Sequence, residues 1–117
     1  MRMTFAVLAT LCLAGCSYSM QELKARGPIE SLSSSKQTQD VAQCILFAWQ
    51  NQSIAGVHDA AVIQPRQGGG QTVASDSLRE VADVYPLGQK TRVDFFTNGG
   101  GTNWVSDRRL AALTTCI

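Results

Sequence analysis

One stretch of this chain, TQDVAQCILFAWQNQ (Thr38 to Gln52), has a helical period, and the segments after it are mostly short and alternating. That switch of period is the strongest constraint on the fold. Val41, Ile45 and Ala48 recur at i, i+4 and i+7 with Cys44 and Trp49 beside them, which lines up one apolar stripe. Leu46 and Phe47 widen the stripe, so this helix is expected to lie against a sheet. Ser34 with Gln37 resembles a capping box, and Asp40 suits the positive end of the helix dipole.

Downstream, AAVIQ (60–64), QTVAS (71–75), EVADVY (80–85) and TRVDFF (91–96) read as strands, the last with Val93 and Phe95 on one face. PRQGGG joins the first two, and Pro86-Leu87-Gly88 turns between the last two. TNGGGTN (97–103) separates Phe96 from Trp104-Val105 in the manner of a hairpin. From Ser106 to Ile117 the pattern is helical again, with Ser106 or Asp107 as cap and Leu110, Leu113 and Ile117 on one face. The expected class is α+β: an N-terminal helix packed on an antiparallel sheet of about four to five strands, then a short C-terminal helix.

At the start of the chain, Arg2 is followed by the uncharged run FAVLATLCL (Phe5 to Leu13). Nine helical residues rise about 14 Å, roughly half the hydrocarbon core, which suits a signal peptide and not a permanent span. Directly after it stand Leu13-Ala14-Gly15-Cys16. These residues resemble the lipobox of bacterial lipoproteins. The resemblance implies cleavage before Cys16, a diacylglycerol thioether on its sulfur, and acylation of the new amino terminus. A thiolate is the nucleophile such a thioether needs, and two or more acyl chains give a stable anchor. The other reading is a conventional signal whose mature chain happens to begin with cysteine, for which Leu13 is a poor −3 residue. Ser17 stands where some lipoproteins carry an Asp that retains them at the inner membrane. By resemblance the location is the outer membrane facing the periplasm, in a host that has one.

The expected organisation is a signal peptide over 1–15, a flexible tether over 16–37 and a small domain over 38–117. SLSSSKQ (31–37) is polar, and Gly27-Pro28 breaks any helix that Met20 to Arg26 starts. About twenty flexible residues reach roughly 25 Å. Of ten basic and nine acidic side chains, loss of Arg2 leaves nine of each. Such a chain lacks the surplus of cations that a nucleic-acid partner requires. With Cys12 in the leader and Cys16 lipidated, Cys44 and Cys116 remain as a pair in an oxidising compartment. A disulfide between them closes a loop of about seventy residues, worth roughly 4 kcal/mol on the chain-entropy model. Two separately buried thiols are the alternative. One histidine is too few for the usual metal sites, and no metal or cofactor is expected.

No constellation in the sequence spells out a reaction. His58-Asp59 could imitate part of a hydrolase triad beside a serine, but an exposed loop is the better reading. GGGQT (68–72) has Gln71 where a phosphate-binding loop needs lysine, so the glycine runs read as hairpin loops. Loops at one end of a sheet also make a contact surface, with Asn98, Asn103 and Trp104 as its test residues. Arg108 and Arg109 stand at the unfavourable end of the last helix, either as a solvated pair or as contacts for an acidic partner. Trp49 and Trp104 are expected in the core. The function expected is a non-enzymatic envelope lipoprotein, anchored through Cys16, that binds another envelope protein as an assembly accessory. A protective inhibitor, of lysozyme or of incoming phage or plasmid, is the alternative. A ligand carrier is weaker, since so small a core can hardly spare a cavity.

Overall fold

The structure is a computed structural model, and it describes residues 20–117. Cys12 and the Leu13 to Cys16 motif lie outside the described residues. In chain order the elements are α1 (Met20–Ala25), β1 (Glu30–Ser34), α2 (Thr38–Gln50), β2 (Ala61–Pro65), β3 (Gln71–Ser75), β4 (Glu80–Leu87), β5 (Lys90–Thr97) and α3 (Trp104–Thr114). The class is α+β. Strands β2 to β5 form an antiparallel meander, and β1 adds to its far side, giving the order β1-β5-β4-β3-β2.

Strand alternation divides the sheet into two unlike faces. On one face Leu32 stands opposite Val93, Val93 opposite Val84, Ala82 opposite Phe95 and Ile63 opposite Val73. Onto it α2 lowers Val41, Ala42, Ile45 and Trp49, and Leu113 of α3 completes the cluster. Trp49 meets Phe95 edge to face with centroids 6.2 Å apart. The Cys44–Cys116 disulfide joins α2 to the residues just past α3, across a sequence separation of 72. It adds a covalent link where α2 and α3 pack together.

The opposite face is covered at one end only. There Leu23 of α1 is fully buried with Ala74, Val81 and Phe96. The rest of that face is polar, built from Thr72, Asp83, Tyr85, Arg92 and Asp94. Gly70 closes the β2–β3 hairpin at φ +84°, where an added Cβ would collide with the Val84 carbonyl and sit 2.8 Å from Tyr85 Cα.

Several expectations need correction. The stretch expected as a tether contains α1 and the edge strand β1, within which SLSS lies. An edge strand with one open face tolerates serines, because backbone pairing to β5 seats it, Leu32 reaches the core and Ser31 Oγ donates to Asp94. Ser34 does not cap α2; its Oγ accepts from Lys36 N, and Gln37 is the N-cap residue without a side-chain hydrogen bond. Phe47 points outward and is exposed. TNGGGTN leads from β5 into a helix and forms no hairpin, since Trp104 and Val105 are the first turn of α3. Asn103 caps that helix: its Oδ1 accepts from the backbone N–H groups of Val105 and Ser106, while Ser106 Oγ accepts from Asn103 N. Ser106 therefore completes the box three residues in and is not itself the cap.

Candidate functional site

The β3–β4 turn, the β5–α3 loop and the 54–59 turn meet at one end of the sheet. Each is set there by local chemistry. The Asn103 box fixes where α3 begins and thereby aims Trp104 away from the core, with 58 % of its surface exposed. Ile54 and Val57 exchange backbone hydrogen bonds of 3.0 Å around a tight turn whose central residues, Ala55 and Gly56, both have positive φ. That turn leaves Val57 64 % exposed.

Two adjoining cavities result. The larger, about 610 Å³, lies between the β5–α3 loop and the end of the sheet, and is lined by Glu80, Thr97, Asn103 and Ser106 among others. The smaller, about 370 Å³, lies under the 54–59 turn and is lined by Ile54, Val57, His58, Asp59, Ser77 and Arg109. Arg79, Trp104 and Val105 line both, so the indole stands between them.

Beneath this surface are two buried charges. Glu80 occupies the phase of β4 that faces the core, in step with Ala82 and Val84, and its Oε2 has no hydrogen-bond partner. Burial pushes its carboxyl above the ordinary range; Arg109, the Ser75 hydroxyl and Arg79 pull the other way, and Asp59 adds repulsion. Arg109 is equally buried. Its Nη1 donates to the Trp49 carbonyl at 2.9 Å and its Nη2 to the Asp59 carbonyl at 3.1 Å, while Nε has no partner. Trp49 Nε1 returns a bond to the Arg109 carbonyl at 3.0 Å. Arg109 is therefore a cross-brace between α2, α3 and the 54–59 turn.

Of the residues expected at a contact surface, Asn98, Asn103 and Trp104 line the larger cavity and Arg109 the smaller. Arg108 is exposed but lines neither; its carbonyl accepts from Gln52 Nε2. Two expectations fail here. Trp104 is not in the core, because the helix it was placed before in fact starts with it. Arg109 is not solvated, because one turn of α3 carries it back under Trp49. His58-Asp59 assembles no triad: Ser77 Oγ donates directly to Asp59 Oδ2 at 2.7 Å, where a triad interposes the imidazole. The Gly68 to Gly70 run is the β2–β3 turn, folded onto Arg66 by Arg66 N to Gly70 O and Gly69 N to Arg66 O.

Glu80, Arg79 and Val57 were missed. For Glu80 a signal existed, since a charged residue in the apolar phase of EVADVY announces either an end of the strand or a use for the charge. Among the described residues no group of three or more His, Cys, Asp or Glu could hold a metal ion, and no helix is long and apolar enough to cross a membrane. No known family, curated protein or solved structure matches this chain.

Proposed function

We propose that this chain is a non-enzymatic lipoprotein of the bacterial cell envelope, held at the outer membrane through Cys16. It acts as an assembly accessory by binding another envelope protein. The anchor rests on the resemblance of Leu13 to Cys16 to a lipobox. What supports the binding role is the exposed Trp104 between two cavities, beside an equally exposed Val57. A large aromatic anchor ringed by polar groups is the usual centre of a protein contact.

Site-directed photo-crosslinking in cells tests this. A photoreactive residue at position 104 or 57 is expected to capture one envelope protein that a probe at Gln89, in the β4–β5 turn, does not. A Cys16→Ser chain is expected to lose both membrane retention and that adduct. Adducts equal from all three positions would sink the proposal. So would turnover by the purified protein. Capture of a hydrolase in place of an assembly component would favour the inhibitor alternative.

A further inference from the structure

We propose that the larger cavity seats a cationic side chain of the protein partner, a lysine or arginine, with its charged head on Glu80 and its stem along Trp104. The proposal rests on the binding role above and adds the chemistry of the occupant. Glu80 is 2 % exposed and lines this cavity, yet one of its carboxylate oxygens has no donor. A buried acid left short of a donor is costly, and bringing a donor to it recovers part of that cost. Among the described residues no ammonium or guanidinium comes within 4.0 Å of this carboxylate. Arg109, which attracts it most strongly, gives Nη1 and Nη2 to the carbonyls of Trp49 and Asp59 and leaves Nε without a partner, outside that distance. Arg79 stands at the rim and acts on it more weakly than Arg109 does.

The exposed indole selects the same class of ligand independently. An aromatic face beside a carboxylate attracts a cation through its quadrupole, and the apolar stem of lysine or arginine packs along such a ring. A volume of about 610 Å³ accommodates a whole side chain. An acidic side chain would instead meet Glu80 with like charge, which disfavours it.

The test titrates the full-length protein in detergent with capped pentapeptides whose central residue is arginine, citrulline or glutamate, followed by ¹⁵N–¹H NMR. The arginine peptide is expected to shift the Trp104 indole N–H and the Gly99 to Gly101 amides saturably. Citrulline, which keeps the shape and loses the charge, is expected to bind about tenfold more weakly or worse. Glu80→Gln is expected to weaken the arginine peptide by a similar factor with a melting temperature no lower than the parent's, and Trp104→Ala to weaken it several-fold. Equal binding of arginine and citrulline, preference for glutamate, or no effect of either substitution overturns the proposal. The two readings fail separately. A crosslinked partner that survives Glu80→Gln unchanged removes only the cationic occupant. Arginine binding without any captured partner removes the accessory role instead.

Discussion

Two carboxylates on neighbouring strands meet opposite fates. Asp94, on the open polar face, is surrounded: Tyr85 OH and Ser31 Oγ each donate at 2.7 Å and Arg92 Nε at 3.1 Å. Burial alone would push it up, but these three donors outweigh burial and hold it below the ordinary carboxylate range. The same bond to Asp94 raises Tyr85. Beside it, directly opposite across β4 and β5, Asp83 takes Lys24 Nζ at 2.8 Å and Thr72 Oγ1 at 2.6 Å, with Arg66 Nε at 3.5 Å. Arg66 also stacks over Tyr85 at 4.0 Å. That strip is complete in itself. Glu80 at the loop end is not, and its pKa moves the other way. A satisfied network rigidifies, whereas an incomplete one leaves a buried group short of a partner.

The largest effect that separates the two regions is expected at Arg109. Arg109→Met removes the cross-brace, strips the Asp59 carbonyl of its donor and leaves the Trp49 carbonyl only Gln52 N, so urea unfolding should register a loss of about 3 kcal/mol. A loss below about 1 kcal/mol would mean that water replaces the guanidinium and that the loop end is not a sealed floor. Asp83→Asn comes next. It removes the acid that fixes α1 to the sheet, and since Lys24 is 27 % exposed the expected loss is discounted to about 1–2 kcal/mol. Limited proteolysis near Ala25 should accelerate alongside; unchanged cleavage would show that Leu23 alone holds α1.

The pH dependence sharpens the contrast most directly. Glu80 is raised, so its contribution to stability is complete below its ordinary value of 4.5 and is lost as pH rises through its higher folded value. Glu80→Gln should therefore gain on the parent as pH increases over that window. Asp94 is lowered, so its contribution is present above the ordinary 3.8 and is lost as pH falls through its lower folded value. Asp94→Asn should flatten that acid limb. Melting curves of both variants with the same slope against pH would erase the distinction drawn between the regions. The smallest effect is expected at Ala55, held at φ 53° in the rim turn. Ala55→Gly should be stabilising or neutral within about 1 kcal/mol, because relief of left-handed strain offsets the added freedom of the unfolded chain.

The periods of the sequence carried the helix at 38–50, the four strands of the meander and a closing helix, because in each the apolar phase matches the face it buries. The pairing of Cys44 with Cys116 was legible as an even pair left after the leader and the lipobox were assigned. Strand β1 was not, because ESLSS owes its place to backbone bonds with β5, which no side-chain pattern advertises. Nor was the burial of Arg109 beside an exposed Arg108, which depends on where α3 starts. Placing the cap at Ser106 or Asp107 and not Asn103 put Trp104 before the helix and Arg109 in its first turn, whereas Trp104 opens the helix and Arg109 lies in its second turn. A cap assigned to Asn103 would have corrected both at once.

The disulfide has a mechanical consequence. The covalent ring from Cys44 to Cys116 contains β2 to β5 and α3, whereas α1 and β1 lie outside it on the N-terminal side. Tension applied between the two ends of the chain travels through Cys44, across the sulfur bridge and out at Cys116, so the meander carries no load. Only α1, β1 and the first half of α2 lie in the path. A pull from the N-terminal side can strip the edge of the sheet, but while the sulfur bond holds, extension stops there and the loops around Trp104 stay inside the ring.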